Sequence, residues 1–554
     1  MGVFRLFRHL SKRYPSSIIE YKDTNKYVKK GQPRNPVIHN YGTEACLIDL
    51  NAFIHPVCQQ VYEYGEGEKN KSIFWSNKKK EMSQEELEKM AFNLVCKKIE
   101  SLVEMTKPTK YIYLAVDGVA GASKQLQQRQ RRFKSSHRDC NKYFGFDPNC
   151  ITTGTEFMDR LCKHLYFFIR KKKGFEWKGL TIFYSDVSCP GEGEHKLIRW
   201  VESNKINSCT IISPDADLIM LSLTLKVPQI YIFRENVYKD VLADYFFVDI
   251  RELKKCISNE IYYISLEGGY DQEKSLKDYI FFTFLIGNDF LPHIHSLEIT
   301  NKGIDILYKC YLDTVVEKGN LLEEKANKIN FKKDAIVELM KNLASLETKM
   351  LLDKYENVRV NFPDKLVQKH IIKTTNGNNI EFDAFRKDYY LTKLKLNEDY
   401  LEREIMKVCS SYMKTMLYIC RYYFYGIPTF SWMYEYSYSP LLSDLYKYCS
   451  MSKLEYTFDI HRPLSKAESL LGILPLHSFY LLPQSVRETL ENKLMMDSEF
   501  NCEVEVDLDG CIEEYEGKLI LPSVSYEKIQ YLFSLVKLTE GEKKKNEIGS
   551  VYKF

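Results

Sequence analysis

The chain has 554 residues and a formal net charge of +4, from 79 basic and 75 acidic side chains. At roughly 150 residues per domain that is three or four domains, or fewer large ones. A 44% hydrophobic and 28% charged composition excludes wholesale disorder and collagen-like structure, and the charge balance confines any nucleic-acid surface to a local patch. The 15 cysteines include no Cys-x-x-Cys pair, which excludes a zinc ribbon and argues against a disulfide framework. Arg5 and Arg8 break the apolar residues of the N-terminus, so no secretory signal is expected, and Leu6 fails the myristoylation pattern. The most apolar stretch, Tyr279 to Ile286, is too short to span a bilayer. A soluble intracellular protein is expected.

In chain order, residues 22–40 are polar and basic with Pro33 and Pro36 and read as a loop, as do residues 63–80. A helix is predicted from Ser83 to Thr106: Ser83 and Glu86 form a capping-box pattern, and Leu87, Met90, Leu94 and Leu102 recur at helical spacing. Four short β-rich runs each lead into acidic residues. Ala45 to Ile48 ends at Asp49, and Tyr111 to Val116 ends at Asp117. Thr181 to Tyr184 leads to Glu192 and Glu194, and Thr210 to Ile212 leads to Asp215 and Asp217. Helical patterns between them predict an α/β fold over residues 1–300, a mostly parallel twisted sheet flanked by helices. Ligands of such sheets bind beyond the carboxyl ends of the strands, where all of these acids fall. Residues 301–355 read as helices and 360–385 as extended or looped, within a linking region 301–390. A second region, 391–538, is helical and then aromatic over Leu401 to Pro440 and is expected to close the site. The charged tail, 539–554, is expected to fray beyond Leu538.

Singly, an Asp at a strand end is most often a helix cap. Jointly, Asp49, Asp117, Glu192, Glu194, Asp215, Asp217 and Asp289 would repel strongly if clustered, and bound cations make such a cluster tolerable. Hard oxygen donors without a His or Cys set select Mg²⁺ or Mn²⁺ over zinc, and two such ions suit phosphodiester hydrolysis. Gly191 and Gly193 would let backbone approach the metals, and Gly287 would release the chain so that Asp289 points inward.

Residues 124–142 hold seven basic side chains against one acid, Asp139. Lys124, Gln128, Arg131 and Arg132 share one helix face. A solvated face is the ordinary account of such a stripe, but this one begins just after Asp117, and bidentate Arg with a Gln donor suits a terminal phosphate. His55, shortly after Asp49, is as readily a structural histidine. Trp432 sits in an aromatic run that reads first as core and second as a platform for single-stranded bases.

Several strings, in this order, resemble the Xrn family of 5′→3′ exoribonucleases: Met1 to Arg8 with Arg13-Tyr-Pro15, Asp49-Leu-Asn-Ala-Phe-Ile-His-Pro56, Val116-Asp-Gly-Val-Ala120 through Phe133, Asn149 to Met158, Pro190-Gly-Glu-Gly-Glu-His195, Asp215-Ala-Asp-Leu-Ile-Met220 and Gly287-Asn-Asp-Phe-Leu-Pro292. Tyr422-Tyr-Phe-Tyr-Gly-Ile-Pro428 with Trp432, Leu471 to Pro483 and Glu505 to Gly510 resemble the family's second conserved region. The resemblance implies a PIN/flap-nuclease-like core. It implies one metal on Asp49, Asp117, Glu192 and Glu194, and a second on Asp215, Asp217 and Asp289 sharing Glu194. It assigns Lys124, Gln128, Arg131 and Arg132 to the RNA 5′-monophosphate, and His55 and Trp432 to stacking the first bases. The implied activity is processive degradation of single-stranded 5′-monophosphorylated RNA to nucleoside 5′-monophosphates, with caps and triphosphates excluded.

The chain departs from the family at Gly121-Ala-Ser123, where Pro-Arg-Ala is usual, at Ala52 for Gly and at Ser437 for His. None is a metal ligand, so activity is expected from what looks like a minimal catalytic core. A structure-specific flap endonuclease and an inactive RNA-binding scaffold are the alternatives. A monomer is expected, with decapping or 5′-end-processing factors as possible partners. Free cysteines and the lack of a strong import signal make the cytoplasm the expected compartment.

Overall fold

The computed structural model describes residues 6–21, 42–65, 79, 81–136, 145–236, 244–262, 271–299, 302–325, 328–357, 360–375 and 377–554. The loop expected at 22–40 lies outside them, as do most of that at 63–80 and Arg138 and Lys142 of the basic run.

The sheet has eight strands: β1 (Ile18–Tyr21), β2 (Ala45–Asp49), β3 (Tyr111–Ala115), β4 (Thr181–Ser185), β5 (Ser208–Ile212), β6 (Gln229–Glu235), β7 (Tyr245–Asp249) and β8 (Tyr552–Lys553). Their order is β1-β7-β6-β5-β2-β3-β4-β8. The run β6-β5-β2-β3-β4 is parallel, and β7, β1 and β8 join antiparallel. The four predicted strands are therefore the centre of the sheet. The chain leaves β2 for β3 and β4 on one side, then crosses to β5 and β6 on the other, so the order reverses at β2 and opens a crevice at the carboxyl ends.

A parallel sheet needs both faces covered, and its side chains alternate accordingly. Ala45 and Leu47 of β2 pack into one apolar layer, Cys46 and Ile48 into the opposite one. The second layer is closed by α1 (Asn51–Tyr62), α2 (Gln84–Thr106) and, after the basic helix α3 (Ala122–Ser136), by α4 (Glu156–Gly174). The capping box predicted at Ser83 and Glu86 starts α2 with both of its hydrogen bonds. The first layer takes α5 (Gly193–Ser203) and α6 (Asp217–Ser222). It continues without a break into α7 (Gln272–Thr283), α8 (Gly303–Lys318), α9 (Lys333–Ser345) and α10 (Leu401–Tyr425), through Phe281, Leu307, Leu339 and Met416. The helical region is thus packed as one body with the sheet, along the crevice. A third cluster joins α11 (Lys466–Ile473) and α12 (Tyr526–Ser534) to Val119, just ahead of α3.

Three segments differ from expectation. A hairpin, Leu322–Lys325 with Lys328–Phe331, interrupts the helices expected over 301–355; Ile329 and Phe331 alternate inward at a strand period. The stretch expected to be extended or looped forms a second hairpin, Ile371–Thr374 with Gly377–Ile380, but short helices flank it. The tail does not fray. Thr539 and Glu542 form a capping box at the start of α13 (Glu540–Asn546), Glu542 also accepts from the Ser485 hydroxyl and amide, and Asn546 accepts from the Ala467 amide at 3.0 Å. β8 then pairs with β4, Tyr552 opposite Tyr184. Local capping and long-range pairing outweigh the charged composition. No helix among the described residues is long and apolar enough to cross a membrane.

Candidate active site

The carboxylates are delivered by strand ends, by the starts of the helices that follow and by a break after a helix. Asp49 closes β2 and Asp117 lies two residues beyond β3. Glu192 immediately precedes α5, its side chain making no capping bond to the helix, Glu194 sits in the first turn, and Asp217 opens α6. Asp289 follows α7 and a 3₁₀ turn that stops at Gly287 (φ +91°), where a Cβ would lie 2.7 Å from the His293 amide nitrogen. The expected release of the chain by this glycine is observed.

The seven acids converge. Gly193 N–H donates to Asp117 Oδ1 at 2.6 Å, and a Cβ at position 193 would lie 3.0 Å from Asp49 and 3.2 Å from Asp117. Asn51 is fixed between the first two acids: its side chain donates to Asp117 Oδ2 at 2.7 Å and its amide to Asp49 Oδ1 at 3.2 Å. Ser213 donates to Asp49 Oδ2 at 3.2 Å, and Asp217 N–H donates to Asp215 Oδ1 at 3.1 Å.

The electrostatics follow from this crowding. Burial and the neighbouring Asp117 and Asp215 push the Asp49 carboxyl up to about 7. Burial with Asp215 and Asp289 pushes Asp217 up to about 8, and burial with Asp215 raises Glu194. Burial acts most strongly on Glu192 and Asp289 too, but Lys124, joined by the Tyr422 hydroxyl at Glu192 and by Arg131 at Asp289, holds both below the ordinary carboxylate range. The Lys124 ammonium is itself buried. It pairs with Glu192, lies 2.7 Å from Asp289 and reaches 4.0 Å from Glu194.

This donor set fits divalent cations. It is almost wholly carboxylate oxygen, and Asp217 Oδ1 is buried without a hydrogen-bond partner among the described residues. Ligand atoms of Glu192, Glu194 and His195 lie within 4.8 Å of one another.

The basic stripe divides. Lys124 and Arg131 face the acids, with Arg131 3.7 Å from Asp289. Arg132 packs beside Arg131, which with burial lowers its guanidinium to about 10, and its Nε is buried with no hydrogen-bond partner among the described residues. Gln128 is half-buried one turn from Lys124. Arg129 points the other way: fully buried, it donates to the Gly472 carbonyl at 3.1 Å and to that of Glu499, fastening α3 to the C-terminal helices. His55 lies against the Arg pair. Burial and the charges of Arg132 and Arg131 lower its imidazole to about 3, so it is neutral.

Trp432 is half-buried on the far wall. Its Nε1 donates to Thr415 at 3.1 Å, the Lys414 ammonium lies 4.0 Å over its ring, and its carbonyl accepts from Ser123 of α3 at 2.7 Å. The His55 and Trp432 rings do not touch each other among the described residues; both border α3.

Three neighbours had no separate place in the sequence reading. His195 stacks on Tyr422, centroids 3.9 Å apart, and burial lowers its imidazole to about 4. The Tyr422 hydroxyl donates to Glu192 Oε1 at 2.5 Å, and burial with the nearby Asp217 raises the Tyr423 phenol. The signal available was the pair of adjacent tyrosines ending a helix just before Gly426.

A carboxylate crevice at the switch point of a parallel sheet, edged by a basic helix, places the chain among α/β proteins that gather acids for divalent cations. Comparison with known proteins is more specific. A family model described as the XRN 5′-3′ exonuclease N-terminus matches residues 1–236, and one described as the Xrn1 helical domain matches 269–381 and 379–552. The chain belongs to the Xrn family. It is 27% identical to human 5′-3′ exoribonuclease 1, over 81% of this chain and 31% of that protein. It is 26% identical to the 5′-3′ exoribonuclease 2 homolog of Drosophila melanogaster, over 100% of this chain and 73% of that protein. For 5′-3′ exoribonuclease 1 of Saccharomyces cerevisiae the figures are 25%, 100% and 45%. The chain thus spans under half of the human and yeast relatives.

Proposed function

We propose that the chain is a divalent-metal-dependent 5′→3′ exoribonuclease that processively hydrolyses single-stranded 5′-monophosphorylated RNA to nucleoside 5′-monophosphates, in RNA decay. The observation that carries this reading is the contact of the phosphate-type cations with the acid cluster: Lys124 and Arg131 both reach Asp289. A terminal phosphate held by Lys124, Gln128, Arg131 and Arg132 would leave the next phosphodiester at the carboxylates, so that each cut frees one nucleotide.

Asp49, Asp117, Glu192 and Glu194 would hold one Mg²⁺ or Mn²⁺, and Asp215, Asp217 and Asp289 a second, with Glu194 shared. Bound there, the two ions supply Lewis-acid stabilisation of the phosphoryl oxygens and a water of lowered pKa. Lys124 and Arg131 orient the terminal phosphate and offset its charge. Neutral His55 and Trp432, held by Thr415, offer ring faces to the first bases. A 5′-monophosphate is taken in preference to a triphosphate or a cap. The reading includes a monomer acting in the cytoplasm, supplied with substrate by decapping or 5′-end processing.

The test is 3′-labelled RNA bearing a 5′-monophosphate, hydroxyl or triphosphate, with Mg²⁺ present or chelated. Metal-dependent loss of the monophosphorylated RNA alone, without a ladder, is expected. Internal cleavage of DNA flaps in its place would indicate an endonuclease, and no cleavage by folded protein a scaffold.

A further inference from the structure

Two consecutive tyrosines of the helical region reach the acid cluster at two different points. Tyr422 and Tyr423 occupy the last turn of α10, which ends at Gly426 (φ +91°), where a Cβ would lie 3.0 Å from the Arg199 guanidinium. Both side chains are buried. Tyr422 donates to Glu192, and its ring is held between His195, stacked at 3.9 Å, and the edge of Phe290 at 5.3 Å. Those rings adjoin Glu194 and Asp289 in sequence. Tyr423 lies near Asp217 and packs edge-on against Phe284 at 5.0 Å, in the turn that leads to Asp289.

A buried tyrosine hydroxyl must find some partner, and any backbone carbonyl would serve. Here the Tyr422 hydroxyl bonds Glu192 and the buried Tyr423 is set beside Asp217, and on the functional reading those two carboxylates belong to different cation sites. We infer that Tyr422 and Tyr423 are positioning residues: one rigid helix end sets the orientation of Glu192 and of Asp217, and with it the spacing of the two cation sites. Each carboxylate oxygen has two lone pairs, so a phenol hydrogen bond fixes the group while leaving it able to bind a cation. The inference rests on the proposed nuclease reading and assigns the helical region a part in the metal chemistry besides the gripping of RNA.

Tyr422→Phe and Tyr423→Phe remove one oxygen each and keep the rings. Manganese binding, followed by electron paramagnetic resonance on full-length protein without RNA, is expected to weaken about ten-fold or more in Tyr422→Phe, the size of a lost hydrogen bond to a charged group, and by a smaller factor in Tyr423→Phe. With saturating RNA, kcat falls by a similar factor while KM for RNA stays unchanged, and raising Mg²⁺ recovers part of kcat. Thermal unfolding of the metal-free variants, compared with wild type, shows that they fold. Wild-type manganese binding in both folded variants would overturn the inference and leave the nuclease reading standing. Failure of the wild-type protein to bind manganese would overturn both.

Discussion

The two walls of the crevice are made differently. The sheet wall is charged: its carboxylates project from successive strand ends, and Lys124 is buried among them. The helical wall meets them with the aromatic Tyr422 and Tyr423, and carries a cation beside Trp432, where Lys414 lies over the ring. The first is costly to assemble, since burial and mutual repulsion push Asp49 and Asp217 far above their ordinary range. The second is stabilised by the same burial, and its packing is continuous with the layer beneath the sheet. The difference teaches where each task belongs: repelling groups suit cation chemistry, and a stiff apolar wall suits holding them and the substrate in place.

That division can be broken experimentally. Asp217→Ala is expected to lower turnover by about a thousand-fold or more while RNA binding, read by fluorescence anisotropy, persists. Comparable loss of binding would merge the two walls. Trp432→Ala should do the reverse. Removing a stacking face costs about 1–3 kcal/mol, so RNA binding weakens roughly five- to 150-fold while single-turnover cleavage of saturated enzyme is retained. Arg131→Ala, at the seam, should narrow the preference for 5′-monophosphate over 5′-hydroxyl RNA by about ten-fold, from the loss of a charge-assisted hydrogen bond. An unchanged ratio in competition assays would move the pocket elsewhere. Thr539→Ala touches neither wall. Loss of that cap should cost about 1 kcal/mol in denaturant unfolding of the tail helix, with kcat unaltered.

The sheet wall was legible because strand ends announce themselves: an apolar run followed by Asp occurs at both Asp49 and Asp117, and Gly287 marks the turn to Asp289. The helical wall was harder to read. Tyr422 and Tyr423 lie in a helix whose inward residues are nearly all apolar, so composition cannot separate a tyrosine that fills the core from one whose hydroxyl reaches a carboxylate. Arg129 had no role in the sequence reading: it belongs to the basic run but lies off the face of Lys124, Gln128, Arg131 and Arg132, and it is wholly internal. The tail could have been read correctly: Thr539 and Glu542 have the same capping spacing as Ser83 and Glu86, but the surrounding lysines weighed against it. No pattern in two residues could have announced β8.

That two-residue strand has a consequence for the order in which the protein is made. β4 emerges early in synthesis, whereas Tyr552 and Lys553 emerge only after the entire helical region. The pairing is among the most sequence-distant contacts in the molecule, and such contacts close late. Just beside it, the Gly549 amide bonds the Ser188 carbonyl, within the turn that carries Glu192 and Glu194. During synthesis the residues that carry the acids therefore emerge before the segment that clasps two of them from behind.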